Sequence, residues 1–228
     1  RLTDEQRKAI WEIARDLAKP SPMNRLLEGD VGSGKTVVAA AACLLAAKSG
    51  VSAAVMAPTE ILAHQHHETL TRLLTPHGVV LRLSAAGKRQ GEKTADVHVG
   101  THALIHQGAS FERLGLVIVD EQHRFGVNQR AALLKHESEY KIQTEIPHFL
   151  SMSATPIPRT LALTVYGDLD ISILDELPPT RKPVKTNIVD PDRREETYIF
   201  IRSQIKNGSQ AFVICPRIEG TQEESASS

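Results

Sequence analysis

Short apolar runs alternate with amphipathic segments along most of the chain. Apolar residues recur at helical spacing from Ile10 to Leu17, behind a typical N-cap residue at Thr3, and predict an amphipathic helix. The run at 52–57 is of the kind found in buried parallel strands. The short runs lie at 25–27, 52–57, 79–83, 97–99, 114–119, 149–152 and 168–174. With helices between them, they predict a doubly wound parallel α/β sheet.

Two further helices and one loop are expected within this alternation. An alanine-rich helix at 37–47 follows the first apolar run, and Thr59 is a good N-cap for a helix that reaches about Leu74. Residues 87–93 are charged and rich in turn formers, so we expect a solvated loop there. The helix after Thr59 carries three histidines with no carboxylate or cysteine at a metal-site spacing: His64, His66 and His67.

The character of the sequence changes towards the C-terminus. Residues 178–186 are rich in proline and charge, which is typical of a linker. Beyond them we predict a strand near 184–189, a helix at 192–206, a strand at 211–215 and a disordered polar tail from 219. These elements are too few to form a core, so we expect one domain at 1–177 and the incomplete start of a second α/β domain at 187–228. The first residue is Arg1, which we interpret as the sign of an excised or processed chain.

Composition places the chain among ordinary globular proteins, with 41% hydrophobic and 24% charged residues. Because 27 Lys and Arg balance 27 Asp and Glu, the net charge gives no indication of a polyanionic partner. Cys43 and Cys215 show neither ligand spacing nor a disulfide framework, which favours a reducing, cytoplasmic compartment. The sequence has no apolar run of about 18 residues, so we expect no membrane partner.

The motif that decides the chemistry lies between the first apolar run and the alanine-rich helix. It fits the phosphate-binding pattern GxxxxGK[ST] in the strand, turn and helix context that this motif requires. Its glycines let the backbone curl so that amide groups and the positive end of the helix point at an anion. Lys35 would reach the β- and γ-phosphates, and the Thr36 hydroxyl would hold Mg²⁺. The alternative is a glycine-rich turn before a core helix. The motif consists of Gly29, Asp30, Val31, Gly32, Ser33, Gly34, Lys35 and Thr36.

Four polar residues follow the most strand-like run, at 114–119. Asp120 is placed to hold Mg²⁺, directly or through water, and Glu121 to orient or deprotonate an attacking water. Gln122 and His123 complete the cluster. Together with the phosphate loop, this acidic pair predicts a nucleoside triphosphate hydrolase.

Several polar residues leave two interpretations open. Gln6 suits a solvated helix position or an adenine contact. Thr59 either caps its helix or holds an external phosphate, and Gly100 with Thr101 suits either a strand-end turn or ligand contacts.

Two hydroxyl residues follow the apolar run at 149–152. Ser153 and Thr155 either cap a following helix or bond the segment 120–123.

The order of these motifs resembles the first motor domain of superfamily 2 helicases and, within that group, the bacterial RecG family. The resemblance covers nearly the whole chain, including PMNRLL at 22–27 and DELPP at 175–179. The main matching runs are TxxQ at 3–6, GDVGSGKT at 29–36, APTEILA at 57–63, GTHAL at 100–104, DEQHRFGV at 120–127 and SATPIPRT at 153–160.

The resemblance implies an ATP- and Mg²⁺-dependent DNA motor that acts on branched DNA, such as forks and four-way junctions, in recombination and repair. It implies a monomer in the bacterial cytoplasm, associated with the nucleoid. It implies that Gln6 contacts adenine and that Lys35, Asp120 and Glu121 act as described above. The matching DNA contacts are Pro58, Thr59, Gly100, Thr101 and His102. The residues that would link nucleotide state to the grip on DNA are Gln122, His123, Ser153 and Thr155.

Two departures from the family pattern limit what the chain can do alone. The segment between Ser84 and Val97 is shorter than the family's helix-bearing insert. The run at 212–219 looks like the first motif of a second motor lobe, so we expect the rest of that lobe, and an N-terminal wedge domain, to be missing. A transition-state arginine in the missing lobe contributes roughly 10³ to 10⁵ in rate in related enzymes. We therefore expect the chain alone to hydrolyse ATP very slowly.

Three alternatives remain open. The first is a double-stranded DNA translocase like Mfd, which shares the runs HRFGV and ATPIPRT but typically has a bulky residue in place of Ser33 and a glutamate in place of Gln122. The second is a P-loop kinase, which would need an acceptor domain and an arginine-bearing lid. The third is a nucleotide switch without enzymatic turnover.

Overall fold

The computed structural model describes residues 1–85, 88–90, 94–101, 104, 111, 113–121, 146–155, 169–176 and 184–215. The chain divides into two compact units, at 1–181 and 182–228. This division does not test the predicted end of the first domain at 177 or the predicted start of the second domain at 187, so both stay predictions.

The described part of the first unit contains three α-helices and eight strands. The helices are α1 (Asp4–Leu17), α2 (Lys35–Lys48) and α3 (Glu60–Leu74), and a 3₁₀ turn at Thr75–His77 follows α3. The strands are β1 (Asn24–Gly29), β2 (Ser52–Met56), β3 (Leu81–Ala85), β4 (Lys88–Gln90), β5 (Val97–Gly100), β6 (Leu114–Asp120), β7 (His148–Ser153) and β8 (Asp170–Leu174).

All eight strands form one sheet, in the order β4-β3-β5-β2-β6-β7-β1-β8. Every pairing is parallel except that of β3 with β4, so the predicted parallel α/β sheet is confirmed. The loop predicted at 87–93 is partly wrong, because β4 lies within it. The sequence Lys88-Arg89-Gln90 has no apolar residue, and polar, charged residues are common on a short edge strand.

Both faces of the central strands β2, β5, β6 and β7 are largely buried, which explains their apolar runs. In β2, Ala53 and Val55 belong to the larger core, which includes buried residues of α1, α2 and α3. Ala54 and Met56 belong to a second cluster with Val117 of β6. Because side chains alternate across a strand, a strand buried on both faces has to be apolar throughout.

Threonine N-caps begin α1 and α3, as predicted. Thr3 Oγ1 accepts the backbone N–H of Gln6 at 3.2 Å, and Gln6 Oε1 accepts the backbone N–H of Thr3 at 3.0 Å. This reciprocal pair is a capping box. Thr59 Oγ1 accepts the N–H of Leu62 at 3.3 Å. None of the described helices is long and apolar enough to cross a membrane.

A buried ion pair fastens α1 to the start of β1, at the end of the strand opposite the phosphate loop. Arg25 of β1 is 4% exposed and Asp16 of α1 is 2% exposed. Arg25 Nε and Nη2 donate to Asp16 Oδ2 at 2.9 and 2.5 Å. Arg25 Nη1 donates to Ser172 Oγ of β8 at 2.9 Å, and Ser172 donates to Glu12 Oε2 of α1 at 2.5 Å. Lys19 Nζ donates to the other oxygen of Asp16 at 2.7 Å.

The second unit is described from residue 184 to residue 215. The predicted helix is confirmed as α4 (Arg194–Lys206), preceded by a 3₁₀ turn at Pro191–Arg193. The strands predicted at 184–189 and 211–215 are wrong, because neither segment has regular secondary structure. A strand requires a neighbour for its backbone N–H and C=O groups, and apolar composition alone does not supply one.

Candidate functional site

The predicted site residues lie at the carboxyl edge of three neighbouring strands. β6, β7 and β1 are adjacent in the sheet and end at Asp120, Ser153 and Gly29. The register pairs Glu28 with Ser153 and Asp120 with Met152, so the three strand ends are level. Parallel α/β sheets bind their ligands just outside this edge.

The glycines of the phosphate loop are required by backbone conformation and by packing. Gly32 and Gly34 have φ angles of 84° and 93°, in the left-handed region that other residues rarely adopt. A Cβ on Gly29 would lie 2.6 Å from Ser33 Oγ and 2.9 Å from Leu174 Cβ. These constraints wrap the backbone tightly from β1 into α2.

Gln6 supports the loop from α1. Gln6 is only 5% exposed, and its Nε2 donates to the backbone carbonyl oxygen of Ser33 at 2.8 Å. A Cβ on Gly34 would lie 2.3 Å from the same Nε2. The interpretation of Gln6 as a solvated helix residue is therefore wrong.

Lys35 lies at the first position of α2 and folds back over the loop. Its Nζ donates to the carbonyl oxygens of Gly29 at 2.6 Å and Asp30 at 3.1 Å. Burial lowers the pKa of Lys35, and the negative charges of Asp120 and Glu121 oppose that shift. Lys35 and the two acidic residues therefore share one electrostatic environment at this edge of the sheet.

Two features distinguish the acidic pair. Glu121 has φ of 52° and is the one non-glycine residue with positive φ among the described residues. Such strained backbone is concentrated at functional sites, where it fixes the direction of a side chain. Asp120 Oδ2 lies 2.7 Å from His66 Nε2 of α3.

The residues at this edge suit Mg²⁺. Thr36 lies in the first turn of α2, and its hydroxyl and the Asp120 carboxylate are oxygen ligands, which Mg²⁺ prefers. Within the described residues, no group of three or more His, Cys, Asp or Glu side chains could hold a metal ion. Mg²⁺ is typically held by one or two protein ligands together with the phosphates of a bound nucleotide.

The predicted DNA contacts that are described lie along the same edge. Pro58 and Thr59 follow β2, Gly100 ends the neighbouring β5, and Thr101 follows it. The N–H of Ala57 donates to the Gly100 carbonyl at 2.9 Å, which holds the two segments side by side. His102 lies outside the described residues.

The predicted coupling residues are described only in part. Ser153 Oγ lies 3.0 Å from Thr155 Oγ1 and accepts the Thr155 N–H at 3.2 Å, so the two form a local turn after β7. Gln122 and His123 lie outside the described residues.

Neither the role of Gln6 in the loop nor the contact of His66 was predicted from the sequence. A usable signal for His66 was its spacing, three residues after Ala63 and four before Leu70. Both of those residues are fully buried on α3. Residues at these intervals share one helix face, so His66 had to face the sheet.

Comparison with known proteins shows which family the chain resembles. A family model described as DEAD/DEAH box helicase matches residues 3–164. The chain is 47% identical over 234 residues to an ATP-dependent DNA helicase RecG of Synechocystis sp., in an alignment that covers 98% of this chain and 27% of the relative. It is 49% identical over 233 residues to an ATP-dependent DNA helicase RecG of Aquifex aeolicus, covering 98% of this chain and 29% of the relative.

A solved structure, of RecG bound to a three-way DNA junction, is similar in fold and sequence. The TM-score is 0.78 with 40% identity, over 96% of this chain and 30% of that chain. The chain therefore spans less than a third of the length of each of these relatives.

Proposed function

Because the chain belongs to the DEAD/DEAH box helicase family, we propose that it is the ATP-binding motor lobe of a DNA helicase that acts on branched DNA. The observation that carries the proposal is that the phosphate loop with Lys35 and the acidic pair of Asp120 and Glu121 lie at the same carboxyl edge of the sheet, where β1 and β6 end. The names of the relatives, and the junction bound in the RecG structure, support branched DNA as the substrate.

In this proposal, each residue of the loop has one task. The amide groups of the loop and of the first turn of α2 bind the phosphates, and Lys35 exchanges its bonds to Gly29 and Asp30 for the β- and γ-phosphates. Thr36 and Asp120 hold Mg²⁺, which neutralises charge on the phosphates when bound. Glu121 orients the attacking water and accepts its proton.

Gln6 has a second task in the proposal, as the adenine contact. A side-chain amide has two N–H donors and an oxygen with two lone pairs. The bonds to Ser33 and Thr3 use one donor and one lone pair, so Gln6 keeps the capacity to bond adenine while it supports the loop.

DNA binds, in this proposal, along Pro58, Thr59, Gly100, Thr101 and His102. Contacts of this kind to phosphates carry no sequence information, so the substrate is recognised by the shape of its junction. Gln122, His123, Ser153 and Thr155 transmit nucleotide state to these contacts.

The proposal includes partners within a longer protein. The lobe at 1–177, the linker at 178–186 and the start of a second lobe at 187–228 work with the rest of that second lobe and with a wedge domain. The longer protein acts as a monomer in the bacterial cytoplasm, at the nucleoid. Because the proposal assigns the transition-state arginine to the second lobe, the lobe at 1–177 on its own is expected to hydrolyse ATP slowly.

The test is ATP hydrolysis by the gene product that contains this sequence, with a fork, a four-way junction or linear duplex DNA. Branched DNA is expected to stimulate hydrolysis, and Lys35→Ala and Glu121→Gln are each expected to lower the stimulated rate by at least about 10²-fold. Matched controls are Lys48→Ala, at the other end of α2, and Glu68→Gln, on the exposed face of α3. Both controls are expected to keep the wild-type rate.

Other outcomes select the alternatives. Stimulation by linear duplex equal to that by junctions would favour a double-stranded DNA translocase like Mfd. Hydrolysis that is indifferent to any DNA would contradict the motor and favour a kinase or a nucleotide switch.

A further inference from the structure

A histidine outside every motif used above touches the acidic pair. His66 Nε2 and Asp120 Oδ2 are 2.7 Å apart, and the two side chains are 12% and 14% exposed. His66 belongs to the middle of α3, whereas Asp120 is the last residue of β6. The contact therefore joins two elements that are separated by 54 residues in the sequence.

The packing of α3 fixes the direction of His66. Ala63, one turn before it, and Leu70, one turn after it, are both buried in the larger core. Leu74 continues the same face and is 2% exposed. His64 lies on the exposed face of the helix and points away. The packing of α3 therefore places His66 on the side of the helix that faces Asp120.

The chemistry of the pair fixes the donor. An ionised carboxylate only accepts hydrogen bonds, so His66 must donate its Nε2–H to Asp120 Oδ2. A hydrogen bond to one carboxylate oxygen leaves the second oxygen, Oδ1, in a fixed direction. Side chains that orient a metal-binding group in this way are part of the site, and their loss typically costs about 10- to 100-fold in metal affinity or activity.

We propose that His66 is a positioning residue that holds the Asp120 carboxylate and thereby links α3 to the nucleotide site. The inference rests on the proposed function, in which Asp120 binds Mg²⁺ and Thr59 binds the DNA backbone. Thr59 caps the start of α3, and His66 lies seven positions after it, which corresponds to about 10 Å along the axis. A shift of α3 when DNA binds at Thr59 moves the donor that orients Asp120.

The first test measures binding rather than turnover. The affinity of the chain for a fluorescent ADP analogue is measured in Mg²⁺ and in EDTA, and the ratio of the two affinities reports the contribution of Mg²⁺. His66→Ala is expected to lower this ratio by about 10-fold. His66→Gln places an amide N–H donor close to the position of Nε2 and is expected to restore most of the ratio. His64→Ala, on the same helix, is the matched control and is expected to match wild type.

Each outcome has a defined consequence. A wild-type ratio in His66→Ala would overturn the inference and leave the proposed function intact. Equal loss in His66→Ala and His66→Gln would also overturn it, because a general packing defect does not depend on the donor. A wild-type chain that binds the analogue equally with and without Mg²⁺ would overturn both.

The link through α3 has its own test in the gene product. His66→Ala is expected to reduce the stimulation of ATP hydrolysis by branched DNA, expressed as the ratio of rates with and without DNA, by several-fold relative to His64→Ala. A lower basal rate with an unchanged ratio would overturn the link to DNA.

Discussion

The side-chain amide of Gln6 donates a 2.8 Å hydrogen bond to the backbone carbonyl oxygen of Ser33, 27 residues further along the chain. The same amide group accepts the N–H of Thr3 and closes the capping box of α1. The start of α1 and the phosphate loop are therefore connected through one buried side chain. A change at Gln6 is expected to alter both the stability of the helix and the shape of the loop.

The first prediction concerns Gln6→Ala. The substitution leaves the Ser33 carbonyl and the Thr3 N–H without this partner, which costs about 1–3 kcal/mol in the free energy of unfolding. A loop that is no longer held is also expected to bind ADP about 10-fold more weakly, since 1.4 kcal/mol corresponds to one factor of ten. Urea unfolding and titration of a fluorescent ADP analogue measure the two effects. Gln65→Ala, at an exposed position of α3, is the control, and an affinity equal to that of the control would contradict the prediction.

A second prediction compares two glycines that have similar backbones. Gly34 has φ of 93° and a Cβ there would lie 2.3 Å from Gln6 Nε2, whereas Gly50 has φ of 73° and open space around its Cβ position. Alanine at either site costs about 1–2 kcal/mol of left-handed strain. Gly34→Ala must in addition displace Gln6, so we expect more than about a tenfold loss of ADP affinity there. Gly50→Ala is expected to lose stability alone, and equal affinities for the two variants would show that the contact with Gln6 is unimportant.

The parts of the fold that the sequence predicts are those with a local cause. Strands buried on both faces must be apolar, so β2, β6 and β7 were predicted within one or two residues of their bounds. Thr3 and Thr59 cap their helices through hydroxyl bonds to residues three positions away. The strand β4 was missed because three polar residues become a strand only when β3 offers them an edge.

The residues of the candidate site also divide into those with a local cause in the sequence and those without one. The phosphate loop and Asp120 with Glu121 were predicted because fixed spacing carries their chemistry. The contacts of Gln6 with Ser33 and of His66 with Asp120 cross 27 and 54 residues of sequence. Such contacts depend on how α1 and α3 pack on the sheet. The spacing of His66 gives the helix face on which it lies, but not the residue that it contacts.

A third prediction concerns the buried ion pair of Arg25 and Asp16. Arg25→Met leaves the Asp16 carboxylate buried with Lys19 as its remaining cation among the described contacts, and loss of one partner of a buried pair costs about 3–5 kcal/mol. The control is Arg7→Ala, whose pair with Asp4 is 52% and 79% exposed. An exposed pair contributes at most about 1 kcal/mol.

Replacing both members of the buried pair tests whether the unpaired charge causes the loss of stability. The double variant Arg25→Met with Asp16→Leu removes the unpaired charge, so it is expected to recover most of the lost stability in urea unfolding. A double variant that is less stable than Arg25→Met would instead indicate that the packing of the arginine side chain, rather than its charge, accounts for the loss.

The direction in which the free energy of unfolding changes with pH follows from the pKa of Asp16. Burial alone raises the pKa of Asp16, but hydrogen bonds and charges from Lys19 and Arg25 outweigh it, so the pKa lies below its ordinary value. A lowered pKa in the folded state stabilises the fold above the unfolded value, about 3.9, and this contribution is lost as the pH falls through the folded value. In Arg25→Met, the arginine no longer opposes the effect of burial. We therefore expect the pKa of Asp16 to be higher in this variant than in wild type.

The fourth prediction is therefore that the stability difference between wild type and Arg25→Met shrinks as the pH is lowered from 7 to 4. Protonation of Asp16 removes the unpaired buried charge from the variant in that range, whereas wild-type Asp16 is still ionised. Urea unfolding at a series of pH values measures the difference. Glu12 also contacts Arg25, at 3.5 Å, so Asp16→Asn is introduced into both proteins as the control. A difference that shrinks equally with Asn at position 16 would assign the effect to Glu12, because Asn cannot titrate.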